Sequence, residues 1–254
     1  MTSISHSTFD MKFKCVIQAR TKSTRLPRKI LADIENISIL EHIAQRLNLL
    51  HNKVSYCFAI PRNESKEIYD LFESKQIPWI EGDEKNVLQR YQDACYDLTT
   101  RDYIIRLTGD NPFIDFAAME KLIQLPDIEN HDLIYPSKLP LGMGFEIISV
   151  EALFKQNNYP LLPHHYEHVS TFIKENRTIF SIQEIILYKN APDIRLTIDY
   201  PEDLETARGI AHYFYSIKKP FFTTDDVYQL FNNKPELFEK NINLEQRKPT
   251  HYEK

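Results

Sequence analysis

Apolar positions recur along this chain with two periods that alternate. Phe13–Gln18 is a mostly apolar run of the kind a buried strand carries. Ser38-Ile39-Leu40-Glu41 has capping-box chemistry and opens a predicted helix whose Leu40, Ile43, Ala44, Leu47 and Leu50 share one face. Residues 54–60 predict the next strand, Ile68, Leu71 and Phe72 a helix, and residues 78–81 a short strand. Val87, Leu88, Tyr91, Ala94, Cys95 and Leu98 mark a further amphipathic helix. Residues 103–107 form a strand that runs into Thr108-Gly109-Asp110. This βαβαβα order predicts a doubly wound sheet in which the carboxyl ends of the first and last of these strands lie side by side.

Beyond residue 125 the pattern is less regular. Short strands are expected at 133–135 and 145–149, a helix at 165–176, and a buried strand at 194–198. Pro201 opens a helix that turns Leu204, Ala207, Ile210, Ala211 and Phe214 to the core. The irregular region, about 130–180, reads as the part that binds a second substrate and joins two copies into a homodimer. There is no repeat and no low-complexity linker. Residues 1–254 therefore read as a single domain, with polar ends at about 1–10 and 246–254 expected to be mobile.

A chain of 254 residues with 42% hydrophobic content can build an ordinary core. A net charge of −5 and a pI near 6.0 argue against nucleic-acid or anionic-membrane partners, because the cations concentrate in one loop. Cys15, Cys57 and Cys95 sit in apolar segments, which suits buried reduced thiols and a cytoplasmic protein. Residues 1–12 lack the apolar core of a signal peptide, and no 18-residue apolar stretch occurs.

That loop is the chemical centre of the sequence. Arg20, Lys22, Arg25, Arg28 and Lys29 place five cations in ten positions directly after the first strand, where an open α/β sheet binds anions. Ser23 and Thr24 add hydroxyls. No glycine precedes Gly82, so side chains and not a glycine-rich cradle must hold several phosphates. Asp110 and Asp199 each end a predicted strand before a proline-containing turn, and two such carboxylates suit Mg²⁺ when they converge. Read on residues alone, such a strand-end aspartate is more often a turn or helix cap, with Asp199 capping the helix at Pro201. Glu202 and Asp203 need no more than a favourable place at that helix's N-terminus. Arg90 reads as a ligand contact or an exposed helix cation, and Arg106 as a ligand contact or half of a buried ion pair. His164 and His168 have i, i+4 spacing but no third partner that would make a zinc site.

Ala19-Arg20, Ser23-Thr24-Arg25-Leu26-Pro27 and Lys29 resemble the A-R-x-x-S-T-R-L-P-G-K signature of the cytidylyltransferases, which activate 3-deoxy-manno-octulosonate and sialic-acid-like sugars with CTP. The chain is most similar to the spore-coat polysaccharide F branch. The resemblance continues in order through Glu81-Gly82-Asp83, Val87-Leu88, Arg106 to Asp115, Glu167-His168-Val169 and Arg195 to Leu204. It implies a Rossmann-like three-layer α/β/α nucleotidyltransferase, GT-A-like, with a mostly parallel sheet. It also implies transfer of CMP from CTP to a sugar or sugar acid with release of pyrophosphate.

Carried over residue by residue, the resemblance puts Ala19, Arg20, Ser23, Arg25 and Lys29 on the nucleotide phosphates and Gly82, Arg90 and Arg106 beside the nucleoside. Asp110, also at the nucleotide, and Asp199 become the Mg²⁺ ligands, and Arg20, Lys29, Asp110 and Asp199 the catalytic set. Gly142, Glu146, Glu167 and His168 fall on the acceptor side. The pattern is departed from at Lys22, Arg28 and Gln89, and at Leu141 and Gly144, which replace two aspartates of the acceptor loop. Two other readings use the same residues: a glycosyltransferase-like enzyme taking a preformed nucleotide sugar, and a nucleotide-binding regulator without turnover.

Overall fold

The computed structural model describes residues 11–23 and 25–244. Both ends expected to be mobile, and Thr24 of the cationic loop, lie outside the described residues.

In chain order the elements are β1 (Phe13–Gln18), the hairpin β2 (Asp33–Ile34) and β3 (Ile37–Ser38), α1 (Ile39–Asn48), β4 (Val54–Pro61), α2 (Lys66–Lys75), β5 (Trp79–Gly82), α3 (Val87–Asp93), β6 (Tyr103–Thr108) and α4 (Phe116–Leu122). There follow β7 (Leu133–Ser137), β8 (Glu146–Ser149), α5 (Val150–Lys155), α6 (Pro163–Glu167), α7 (Thr171–Glu175), β9 (Ile182–Ile186), α8 (Pro201–Ser216) and α9 (Thr224–Asn233). The sheet has seven strands in the order β5-β4-β1-β6-β8-β7-β9. Only β8 runs against its neighbours, so the mostly parallel sheet expected from the sequence is present.

Period-two alternation along the strands splits the core into two layers. Cys15, Ile17, Phe58, Ile60, Ile105 and Leu107 face one layer, covered by α1, α2, α4, α8 and α9. Val16, Cys57, Ala59 and Ile104 face the other, covered by α3, α5 and α7. This is the three-layer α/β/α architecture. Ser38 caps α1 as its sequence requires: its Oγ accepts the Glu41 N–H, and Glu41 accepts the Ser38 N–H at 2.9 Å. Cys15, Cys57 and Cys95 are buried free thiols. Among the described residues, no helix is long and apolar enough to cross a membrane.

The structure departs from two expectations. Residues 194–198 do not form a strand. Ile194, Leu196 and Ile198 are buried as their pattern demands, but the segment crosses the end of the sheet and makes a single bridge between Arg195 and Leu141. Its backbone groups bond instead to Leu141 and Asp110. The helix expected over 165–176 is broken into α6 and α7, because His168 adopts a non-helical backbone (φ −109°, ψ 76°), an arrangement in which both Val169 and Phe172 are buried. β9, α4, α5 and α9 carry too few periodic positions to stand out in the sequence.

Candidate active site

The site forms where the carboxyl ends of β1 and β6 meet. Gln18 at the end of β1 is opposite Thr108 at the end of β6, and the Gly109 N–H donates to the Gln18 carbonyl at 2.8 Å. A Cβ on Gly109 would lie 2.8 Å from the Ala19 Cβ. Gly109 and the small Ala19 thus let the cationic loop and the Asp110 turn pack against each other. The Ile198 N–H donates to the Asp110 carbonyl at 2.9 Å, which lays the segment bearing Asp199 alongside.

One ammonium joins the two carboxylates. Lys29 Nζ, nearly buried, is 2.9 Å from Asp110 Oδ2 and 2.7 Å from Asp199 Oδ1. Arg25 Nη2 reaches the same Asp199 Oδ1 at 2.8 Å, and its guanidinium stacks over the Tyr200 ring. Burial alone would raise the Asp110 pKa, but Lys29 and Thr108 hold it below the ordinary carboxylate range. Lys29, Asp110 and Asp199 of the catalytic set expected from the sequence are therefore in contact, joined by Arg25 from the phosphate set; Arg20 is not part of this cluster.

Asp199 does not cap α8. Tyr200 occupies the N-cap position, and Asp203 takes the capping role by accepting the Tyr200 N–H at 3.0 Å and the Asp199 N–H at 2.9 Å. Asp203 is buried and also receives Arg195 through Nε at 2.8 Å and Nη2 at 3.0 Å. A place near the helix dipole understates this residue. Arg195 was not singled out from the sequence. The usable signal was an acid at the third helical position after a proline, a capping-box arrangement that needs a partner outside the helix.

The residues expected on the nucleotide side differ in how they are held. Ser23 Oγ accepts the Leu26 N–H at 3.5 Å and so shapes the loop. Arg20 is half exposed and lies 3.8 Å from Glu167, across to the side assigned to the acceptor. Arg90 is buried, not exposed, and its Nε and Nη1 have no hydrogen-bond partner, while burial lowers its pKa. A side chain at Gly82 would strike Arg90, with a Cβ 2.5 Å from its Cγ. Buried donors without a partner among the described residues are uncommon in a folded protein and mark this position as one that a polar group would satisfy.

Arg106 does not stand apart from the acceptor residues. It is the cross-strand partner of Glu146, with Nη1 3.0 Å from Oε2, and Lys174 of α7 closes on the other Glu146 oxygen. Burial opposes ionisation of Glu146, but Arg106, Lys174 and Ser170 outweigh it and bring its pKa down to about 2. Burial, with Arg106 and His164 nearby, lowers the pKa of His168 and favours its neutral form. Gly142 has a packing reason: its φ is 101°, and a Cβ there would lie 2.4 Å from the Thr197 N.

His164 groups with His165 and Glu175. The Leu162 N–H donates to His165 Nδ1 at 2.9 Å, so the His165 proton sits on Nε2, donates to Glu175, and blocks that nitrogen as a metal ligand.

Two departures in the loop are resolved. Arg28 adopts the left-handed backbone (φ 58°, ψ 21°) at the position where the resembling signature has glycine. The loop keeps its turn despite the arginine, at a cost of about 1–2 kcal/mol. The Arg28 side chain pairs with Glu67 and that of Lys22 with Glu84, both at 2.8 Å on the surface.

The family model for cytidylyltransferases matches residues 14–253. The spore coat polysaccharide biosynthesis protein SpsF of Bacillus subtilis is 29% identical over 230 residues, 87% of this chain and 94% of that protein. An 8-amino-3,8-dideoxy-manno-octulosonate cytidylyltransferase of Shewanella baltica is 29% identical over 163 residues, 59% of this chain and 64% of that enzyme. The structure of a cytidylyltransferase from Leptospira borgpetersenii superimposes with a TM-score of 0.81 at 26% identity, covering 94% of this chain and all of that one.

Two predictions follow from the geometry. Arg28→Gly removes the strained backbone and a surface ion pair of small value, so thermal denaturation should show a protein stabilised by about 1 kcal/mol. A lower melting temperature would place the value of the Arg28 side chain above its strain. Glu146 has a folded pKa of about 2 against an ordinary 4.5, so its contribution is present above pH 4.5 and is lost as pH falls towards 2. Melting temperature measured against pH should therefore fall less steeply across that window in Glu146→Gln than in the parent. Parallel curves would contradict the depressed pKa.

Proposed function

The chain belongs to the cytidylyltransferase family of CTP-dependent nucleotidyltransferases, and we propose that it transfers CMP from CTP to a sugar or sugar acid of the nonulosonate type, releasing pyrophosphate. The observation that carries this reading is the contact of Arg25 and Lys29 with Asp110 and Asp199 at the carboxyl edge of the sheet. The octulosonate named for the Shewanella enzyme supports the acceptor class.

Asp110 and Asp199 also fit Mg²⁺. They are hard oxygen donors close enough to share one cation, and the Lys29 ammonium stands in for it. When bound, Mg²⁺ supplies charge to the phosphate oxygens and polarises the acceptor hydroxyl. Arg25 and Lys29 neutralise the β- and γ-phosphates and stabilise pyrophosphate as it leaves; Arg20 at the mouth of the cleft steers the triphosphate inwards. Arg90 offers its unpaired donors to the nucleoside. On the far side, Glu167, His168 and the Arg106–Glu146–Lys174 cluster orient the acceptor, whose hydroxyl must lie in line with the α-phosphorus. Neutral His168 can accept a hydrogen bond from that hydroxyl. A homodimer built through residues 130–180 and a cytoplasmic location complete the reading.

Pyrophosphate release measured for four nucleoside triphosphates against a panel of neutral sugars and sugar acids tests this directly. Turnover is expected with CTP and a sugar acid; none with any pair would overturn it. Asp110→Asn and Asp199→Asn should each abolish most divalent-cation-dependent turnover, and near-normal rates would refute their role. Lys29→Ala should lower kcat by the equivalent of about 2–4 kcal/mol. A raised acceptor KM with unchanged kcat would instead move Lys29 to the other half of the cleft.

A further inference from the structure

Asp199 presents its two oxygens to different neighbours. Oδ1 faces Lys29 and Arg25 in the cleft, whereas Oδ2 lies 3.5 Å from Arg195 Nη2 behind it. Arg195 in turn is gripped by Asp203 through two nitrogens, and Asp203 takes the N–H groups of Asp199 and Tyr200. The set is closed by a residue from the far end of the described chain. Asn241, 1% exposed, donates Nδ2 to the Arg195 carbonyl at 3.0 Å and to Asp203 Oδ1 at 2.9 Å. Among the described residues, the side-chain hydrogen bonds of Asp203 and Asn241 run to Arg195, Asp199, Tyr200 and each other, so they act on the cleft through Asp199 and its backbone.

We propose that Arg195, Asp203 and Asn241 are positioning residues that fix the rotamer and backbone of Asp199, so that one chosen oxygen faces the shared cation. The proposal rests on the reading of Asp199 as a metal ligand. Its physical basis is the entropy of a carboxylate at the start of a helix: left alone, Asp199 could rotate both oxygens towards Arg25 and Lys29. Arg195 gives the rear oxygen a partner of matching charge. Asp203 removes the freedom of the peptide that carries the side chain, and Asn241 keeps Asp203 and Arg195 in register. Outer partners of this kind commonly govern ligand orientation at metal sites.

The test compares the parent protein with Asn241→Ala, Asp199→Asn and Phe238→Leu. Phe238 is a buried core residue three positions before Asn241, so its variant supplies a stability loss in the same chain segment without removing a hydrogen bond of the network. Mn²⁺ affinity is read by water-proton relaxation, together with melting temperature, kcat and the KM for CTP. With CTP present, Asn241→Ala should weaken Mn²⁺ binding by about tenfold, lower kcat at limiting metal, and raise the KM for CTP through the same coupling. Phe238→Leu should lose melting temperature alone. Asn241→Ala following Phe238→Leu, with parental Mn²⁺ affinity, would overturn the positioning role while a loss in Asp199→Asn left the metal reading standing. Parental Mn²⁺ affinity in Asp199→Asn would overturn the metal reading and the proposal with it.

Discussion

A single ammonium spanning two carboxylates organises this site. Lys29 meets Asp110 and Asp199, which lie 81 and 170 residues further along the chain. Bringing these groups together, nearly out of water, requires that each charge find a partner. Arg25 and Arg195 accordingly flank Asp199, and Asp203 answers Arg195. The adjacency of β1 and β6, the close approach at Gly109, and the hydrogen bond from Ile198 to Asp110 are the backbone conditions for that arrangement. The cluster is balanced by itself, so a triphosphate adds negative charge that Lys29 and Arg25 cannot neutralise without loosening their hold on the carboxylates. On the function proposed above, a divalent cation arriving with the nucleotide would resolve that competition.

Much of this half of the molecule was legible in the sequence because its signals are local. β1 matches its apolar run, the Ser38 and Glu41 caps bond as their spacing requires, and the aspartates at the ends of their segments converge. What was not legible depends on side-chain partners distant in sequence. Residues 194–198 carry a strand's pattern of burial, yet the neighbours of their backbone are a loop and a turn, which periodicity cannot reveal. The same holds for Asp203, whose position at the helix start concealed its bond to Arg195, and for Arg106, whose partner Glu146 comes from a strand of opposite direction.

The two halves of the cleft are less separate than the residues suggested. Arg106 lies beside Gln18 at the end of β1 and pairs with Glu146 on β8, while Lys174 from α7 closes the cluster. Helix α7 is thereby tied to the strand that carries the start of the catalytic edge. The break at His168 divides α6 from α7 and leaves the His168 imidazole half-buried, where burial favours its neutral form. The Arg106–Glu146–Lys174 ion pairs thus join β6, β8 and α7, and neither Leu141 nor Gly144 takes part in them.

The central claim is that Asp110 and Asp199 accept a divalent cation together with the nucleotide in exchange for their contact with Lys29. Calorimetric titration of CTP into the protein, with and without Mg²⁺, tests it most directly. The account predicts that Mg²⁺ strengthens CTP binding by about tenfold or more, equivalent to about 1.4 kcal/mol, and that Asp110→Asn or Asp199→Asn removes this gain. CTP affinity independent of Mg²⁺ in the parent protein, or a gain that survives both substitutions, would contradict it.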